Sequence, residues 1–189
     1  GPLSVSDQRI QLPLLNEFQN AAEEFGIPKT KDFNTGDNHG CGYFQVTEKD
    51  GFRCSTAVGY LNPIKNRKNL KIITKAHVKK INFENKIANE VEFWQENELK
   101  KVKVLKEVIL SSGAIGSPQI LQVSGIGNPK LLKNLGIDVI HQLNGVGENL
   151  HDHLMFRPIY KINGIKSLNK KVNSLFGKLM IGLEYIFKR

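Results

Sequence analysis

The segment SSGAIGSPQILQVSGIG, at residues 111–127, has the composition of a ligand-binding turn. It follows an apolar run and is rich in glycine and serine, which leaves its backbone open to close approach. The pattern predicts a buried strand, a break at Gly113, and a helix with Ser117 as its N-cap and Pro118 as its first residue. The N–H groups and dipole at such a helix start attract phosphate or sugar groups. A glycine-containing turn that binds nothing is the alternative.

A second group of chemically capable residues is HDH, at residues 151–153. Imidazole is a good zinc ligand, and His151 and His153 would share one face of a strand. Two ligands are too few for a zinc site, and no second HxH motif or carboxylate cluster accompanies them. We therefore predict no metal site, and we interpret the segment as a loop held by hydrogen bonds. The sequence contains no recognisable Ser-His-Asp arrangement either, so we assign no catalytic residue.

The elements that must position these segments follow from hydrophobic periodicity. An amphipathic helix is predicted over QLPLLNEFQNAAEEFG, and Asp50-Gly51 predicts a tight turn after a strand. A three-stranded meander is predicted over NLKIITKAHVKKINFEN, NEVEFWQ and KKVKVLK, with a bulge before Ile81. Three further strands are predicted at EVILSS (fully buried), IDVIHQL and MFRPIYKI, and three further helices at STAVGYLNPIKN, PKLLKNLG and VNSLFGKLMIGLEYIFKR. The fold class is therefore mixed α/β.

Composition narrows the classes of partner. The 189 residues carry a formal net charge of +9, but the lysines are scattered among asparagines, without an arginine-rich block or an RNA-binding aromatic motif. This favours a solvated basic surface, and we predict no nucleic-acid partner. Cys41 and Cys54 form neither a CxxC pair nor a disulfide framework. No apolar run reaches the ~18 residues of a membrane span. Because the chain starts at Gly1, we expect its native start to be missing, which leaves a cytoplasmic or membrane-associated location open.

The string GAIGSPQILQVSGIG resembles, position by position, the second signature of the GMC (glucose–methanol–choline) flavin oxidoreductases. GPLSVSD is similar to the start of a substrate-domain segment in that family, and GYFQVTEKDGFRCSTAVGYLNP resembles its choline-dehydrogenase branch. LGIDVIHQLNGVGENLHDHL and GLEYIFKR are similar to later blocks. Two residues depart from the pattern. Asn144 stands where proline is common, and Gly116 stands where the choline enzymes tend to carry asparagine, which argues against a narrow assignment to choline.

This resemblance implies part of an FAD-binding Rossmann-like domain interleaved with part of a substrate-binding domain. Residues 1–52 would belong to the substrate domain, residues 53–150 to the FAD domain, and residues 151–189 to the substrate domain again. The family's GxGxxG fingerprint and its catalytic histidine have no counterpart in this sequence. The chain therefore looks like the central fragment of such an enzyme.

The resemblance also implies four cofactor-binding residues. The adenosine side of FAD would contact the backbone of Val78 and the turn of Ser112, Gly113 and Ala114. For Val78, the alternative is an ordinary core residue of a strand. A contact through the backbone would explain how an apolar side chain can occupy a cofactor site.

The implied reaction is oxidation of an alcohol, choline-like or another primary alcohol, to an aldehyde by hydride transfer to the flavin. The implied partners are that small-molecule alcohol, the remaining parts of the same enzyme and an electron acceptor of unknown type, while homo-oligomerisation is left open. The alternative is a truncated or split-gene remnant without activity of its own, serving as an interaction or structural piece.

We predict that the isolated chain binds FAD weakly or not at all, because the pyrophosphate-binding fingerprint is absent from its sequence. Titration of FAD against the purified chain, followed by quenching of flavin fluorescence, measures this. Sub-micromolar binding would contradict the prediction.

Overall fold

The structure is a computed structural model that describes residues 1–164 and 168–188. Its elements, in chain order, are α1 (Pro13–Glu24), β1 (Glu48–Lys49), β2 (Phe52–Arg53), a single helical turn (Ala57–Leu61), β3 (His77–Glu84), β4 (Ile87–Gln95), β5 (Glu98–Lys103), α2 (Gly113–Val123), β6 (Ile126–Gly127), α3 (Pro129–Asn134), β7 (His141–Gln142), α4 (Leu168–Val172) and α5 (Leu175–Lys188). The mixture of helices and strands confirms the predicted fold class.

The chain divides into two compact units. One unit combines Gly1–Lys71 with Pro158–Arg189, and the other is Ile72–Arg157. None of the described helices combines the length and the apolar character needed to cross a bilayer.

In the first unit, α1 and the turn at Asp50-Gly51 form as predicted, and the turn belongs to a hairpin. Helix α1 has Pro13 in its first turn, and the backbone beyond its end reverses at Gly26 with a φ of 95°. Strands β1 and β2 pair antiparallel across Asp50 and Gly51, whose φ angles are 52° and 80°. Two successive positive φ angles are what a tight hairpin turn requires, which explains the Asp-Gly pair.

Two predictions for the C-terminal part of the chain are corrected. The single helix predicted over VNSLFGKLMIGLEYIFKR is broken, because the Ser174 hydroxyl accepts a hydrogen bond from the Gly177 N–H at 2.8 Å and so caps a new helix, α5. The strand predicted at MFRPIYKI does not form, and residues 155–162 are exposed coil. Helix α5 contacts the hairpin through Tyr185, whose hydroxyl donates to the Gly51 carbonyl at 3.0 Å.

The second unit is built on the meander β3–β4–β5, which confirms that prediction. The pairing of β3 with β4 shifts register between Val78 and Lys80, which is the predicted bulge. On the apolar face of the sheet, Ile81 and Phe93 are buried. The strand begins at His77 and not near Leu70, because the positive φ of Lys75, 53°, interrupts the extended backbone just before it.

Helix α2 is joined to this sheet through Ser124, a buried residue at the helix end. Its hydroxyl accepts a hydrogen bond from the backbone N–H of Ile81 at 2.8 Å and donates one to the carbonyl of Ile120 at 2.5 Å. Because β3 is an edge strand, its outward N–H groups need partners from outside the sheet, and Ser124 supplies one. Beyond the helix, β6 pairs with β7 in parallel, and α3 buries Leu132 completely.

The buried strand predicted at EVILSS does not form. The N–H of Val104 donates to the carbonyl of Asn89 at 2.9 Å, one residue beyond β5, and none of the described residues continues the pairing. Leu105 and Ile109 are 93% and 79% exposed. An apolar run becomes a buried strand only when another strand lies beside it, and the run itself does not specify that neighbour.

The polar face of the meander carries a network of charges. The Asn82 amide donates to Glu90 and to Glu92, at 2.9 and 3.0 Å. The Lys101 ammonium lies 2.9 Å from Glu90 and 3.1 Å from Glu92, and Lys79 lies 3.4 Å from the other oxygen of Glu92. The Asn82 hydrogen bond, followed by that of Lys101, lowers the pKa of Glu92 to about 2. The network therefore stabilises the ionised form of Glu92, whose side chain is nearly buried.

We predict that this network makes the chain sensitive to acid. Because the pKa of Glu92 is lower in the folded chain than in the unfolded one, its contribution to stability is present above about pH 4.5 and is lost as the pH falls toward about 2. The acid limb of the stability profile is the fall in the free energy of unfolding between about pH 4.5 and about pH 2. Glu92→Gln should flatten this acid limb, as measured by urea unfolding followed through Trp94 fluorescence. Glu98→Gln, which changes an exposed carboxylate 3.6 Å from Lys100, is the control and should leave the limb unchanged. An unaltered limb in Glu92→Gln would contradict the prediction.

Candidate functional site

The glycine turn before α2 differs from its predicted form at one point. The helix begins at Gly113, whose φ of 83° lets the chain enter the helix early, and Ser112 is its N-cap. Ser117, predicted as the N-cap, lies inside the helix and accepts a hydrogen bond from the Ser112 N–H at 3.0 Å. The side chain of Ser117 therefore ties the turn to the helix, so the predicted N-cap is wrong.

Pro118 is consequently the sixth residue of the helix and not its first. Proline has no N–H, so it cannot make the helical hydrogen bond to the carbonyl of Ala114. The N–H groups of Gly113, Ala114 and Ile115 also lack helical acceptors, because they belong to the first turn. The start of α2 therefore presents unpaired backbone donors, which suit a ligand that carries hydrogen-bond acceptors.

This helix start borders an open cleft of about 690 Å³ within the second unit. One wall is the side of α2, and the other is a loop that follows β7. The lining residues are Ala114, Ile115, Pro118, Gln119, Gln122, Gly147, Glu148, Asn149, Leu150 and His151. They include a carboxylate and an imidazole but neither lysine nor arginine. The cleft therefore suits an uncharged, hydroxyl-bearing or aromatic group better than a phosphate.

The predicted cofactor residues are distributed unevenly around this cleft. Ala114 lines it, and Ser112 and Gly113 belong to the same turn. Val78 lies on β3, half-buried and paired with Phe93, outside the set of residues that line the cleft. The described contact between this strand and α2 is made at the far end of the helix, through Ser124 and Ile81.

The loop that forms the second wall of the cleft is bound to α2, a contact that the sequence does not predict. The Gln122 side-chain amide donates to the carbonyl of Val146 at 3.1 Å. Gly147 has a φ of 85°, and a Cβ added there would lie 2.6 Å from Nε2 of Gln122. The glycine spacing of Gly145-Val146-Gly147 was visible in the sequence, but nothing in it indicated which helix the loop would meet.

The HDH segment continues the same loop. His151 lines the cleft, and the backbone N–H of His153 donates to Oδ1 of Asp152 at 2.7 Å. Within residues 1–164 and 168–188, no three His, Cys, Asp or Glu side chains come together as metal ligands would.

The second half of the glycine-rich segment serves as a junction between elements. Gly125 has a φ of 85°, and a Cβ there would lie 2.5 Å from the carbonyl oxygen of Asp138. Its own carbonyl accepts hydrogen bonds from the N–H groups of Ile140 and His141. The close approach of these two backbones requires glycine, so this part of the segment holds β7 beside the end of α2.

Comparison with known proteins shows similarity along the whole chain. The family described as GMC oxidoreductase matches residues 1–155. An oxygen-dependent choline dehydrogenase of Chromohalobacter salexigens is 44% identical over 191 residues, covering 100% of this chain and 34% of the relative. An alcohol dehydrogenase [acceptor] of Pseudomonas putida is 40% identical over 192 residues, covering 100% of this chain and 35% of the relative.

Solved structures are similar as well. A fungal aryl-alcohol oxidase superimposes with a TM-score of 0.82 at 29% identity, over 97% of this chain and 32% of that one. An FAD-dependent oxidoreductase from Chaetomium thermophilum gives a TM-score of 0.76 at 35% identity, over 80% of this chain and 27% of that one. The chain spans about a third of the length of the curated relatives that it matches.

We predict that the junction at Gly125 tolerates no side chain. Gly125→Ala combines a left-handed backbone with a clash against a backbone oxygen, and should destabilise the chain by about 3 kcal/mol or more. Gly136→Ala, at a φ of 69° with open space around it, is the control for backbone strain alone. It should cost about 1–2 kcal/mol. Urea unfolding measures both variants, and equal losses would show that the close approach at Gly125 is unimportant.

Proposed function

The chain belongs to the GMC oxidoreductase family, and we propose that it is the central part of an FAD-dependent enzyme that oxidises an alcohol to an aldehyde. The observation that carries this proposal is the family match over residues 1–155. The names of the relatives support it, since they include choline and alcohol dehydrogenases. An FAD-dependent oxidoreductase among the similar structures supports the cofactor.

We place the adenosine portion of FAD at the start of α2. The helix start fits an adenosine, because its unpaired N–H groups can donate to ring nitrogens or ribose oxygens, and a Cβ built on Gly113 would meet nothing within 4 Å beyond its chain neighbours and the helix's own backbone. Gly113 and Ala114 would contact the cofactor through their backbone. The N–H of Ser112 is already bonded to Ser117, so Ser112 would contribute its carbonyl or hydroxyl. FAD, when bound, supplies the hydride acceptor for alcohol oxidation.

Val78 is the fourth residue of the proposed cofactor site. It lies on the edge strand β3, and an edge strand presents backbone N–H and C=O groups away from its neighbour. A backbone contact from this strand would complement those from the start of α2. Since neither lysine nor arginine lines the cleft, we assign the pyrophosphate to a different part of the enzyme.

The assignment of residues to the two domains is also part of this proposal. We propose that residues 53–150 belong to the FAD domain and that residues 1–52 and 151–189 belong to the substrate domain. The compact unit Ile72–Arg157, which contains the glycine turn and the cleft, supports the first part of this assignment. The chain spans about a third of its relatives, and we place the base that accepts the hydroxyl proton in the remainder.

The substrate is proposed as a small alcohol, choline-like or another primary alcohol. Gly116, at the first turn of α2, departs from the asparagine that the choline enzymes tend to carry, so a primary alcohol other than choline stays within the proposal. The electron acceptor would be a partner of the complete enzyme.

We predict that the complete protein containing this chain carries FAD. We also expect the visible absorption of this flavin to bleach, in the absence of oxygen, when one class of substrate is added: choline, an aliphatic alcohol or an aryl alcohol. Gly113→Ala should weaken FAD binding by about tenfold, because the added methyl group occupies the approach to the turn. Gly136→Ala introduces similar backbone strain in the same unit without facing the turn, and should leave FAD affinity unchanged.

Spectrophotometric titration of the apoprotein with FAD gives the affinities. A complete protein that binds no flavin, or that binds flavin without reduction by any alcohol, would contradict the proposed function.

A further inference from the structure

We propose that Gln122 is a positioning residue that clamps the loop of residues 145–151 to helix α2 and so sets the width of the cleft. The identity of the ligand, the adenosine portion of FAD, rests on the proposed function. The clamp itself rests only on the geometry of this chain.

The first support is a hydrogen bond that joins segments distant in the chain. The Gln122 side chain is half-buried on α2, and its Nε2 donates to the carbonyl of Val146 at 3.1 Å. The loop's own turn is made by two backbone bonds, from Val146 to Leu143 and from Glu148 to Gly145, each 3.2 Å. Those bonds shape the loop but do not attach it to α2. The Gln122 hydrogen bond does.

The second support is the space around the side chain. A Cβ at Gly147 would lie 2.6 Å from Nε2 of Gln122, and a Cβ at Gly127 would lie 3.3 Å from its Cγ. The glutamine therefore lies between two glycines, one on the loop and one on β6. This arrangement limits its rotamers, so that its amide points at the loop backbone.

The third support is the position of the clamp relative to the cleft. Gln122 and Gly147 both line it, and the chain after Gly147 supplies the rest of the second wall through Glu148 and His151. Release of Val146 from Gln122 would free this wall from the helix that carries Ala114. The backbone bond from the Leu143 N–H to the Gly127 carbonyl holds the base of the loop, and Gln122, two helical turns from Ala114, ties the loop itself to α2.

Two substitutions of Gln122 distinguish the effect of its hydrogen bond from the effect of its packing. Gln122→Ala removes both, whereas Gln122→Glu keeps the volume and replaces the donor by a carboxylate oxygen that repels the Val146 carbonyl. The matched control is Gln95→Ala, because Gln95 also donates from Nε2 to a backbone carbonyl, that of Thr74 at 2.9 Å, in the same unit but away from the cleft. Gln122→Glu keeps the test valid if Gln122→Ala does not fold.

Hydrogen exchange of the amides of residues 145–151, measured on the chain by mass spectrometry, tests the clamp directly. Both Gln122 variants should exchange about fivefold faster there, as expected for a lost hydrogen bond of ordinary strength. Gln95→Ala should not change this segment. Unchanged exchange in both Gln122 variants, or equal acceleration by Gln95→Ala, would overturn the proposal.

The effect on the cofactor is tested in the complete protein. Both Gln122 variants should raise the dissociation constant of FAD by about fivefold while retaining kcat at saturating FAD, and Gln95→Ala should change neither. Wild-type protein that binds FAD, with the same affinity in both Gln122 variants, would overturn this inference alone. Wild-type protein that binds no FAD would instead contradict the proposed function, and the exchange measurement would still decide the role of the clamp.

A double-mutant cycle adds a test of the packing. Gly147→Ala should accelerate loop exchange in the wild-type chain more than in Gln122→Ala, because removal of the amide vacates the space that the new Cβ needs. Equal effects in the two backgrounds would show that Gln122 and Gly147 act independently, and would overturn this part of the inference.

Discussion

The hydroxyl of Ser124 is the contact on which the arrangement of the second unit depends. It gives the unpaired N–H of Ile81 a partner and closes the last turn of α2 on Ile120, so one small buried group joins helix to sheet edge. A helix fixed at its C-terminal end has its first turn placed as a consequence. The glycine turn, the free backbone groups around Ala114 and one wall of the cleft all follow from that placement.

The elements that could be predicted from the sequence are those whose conformation is determined by residues close to them in the chain. The meander, its bulge before Ile81 and the Asp50-Gly51 turn depend on alternation and turn chemistry within a few residues. The strands expected at EVILSS and MFRPIYKI failed because strand pairing needs a neighbour, which an apolar run does not name. The start of α2 was misplaced because glycine at a positive φ allowed an earlier entry than the Ser-Pro pair suggested.

The residues of the candidate site also differ in whether the sequence predicts them. Ala114 and its turn were predicted from a glycine-rich string and from a family resemblance, and the structure places that turn beside a cleft. Of the opposite wall, the sequence predicted only that its HDH segment is a loop held by hydrogen bonds. Its attachment depends on Gln122 reaching a carbonyl 24 residues later, and a glutamine on a helix gives no sign of such a target. Side-chain contacts to distant backbone are set by the packing of whole elements, which periodicity does not describe.

The uncovered run that contains Leu105 and Ile109 has a consequence for how the isolated chain behaves in solution. An extended apolar segment whose backbone is unpaired is the geometry from which intermolecular β-sheets nucleate. This stretch is therefore a place at which the folded chain could pair with a second strand without first unfolding.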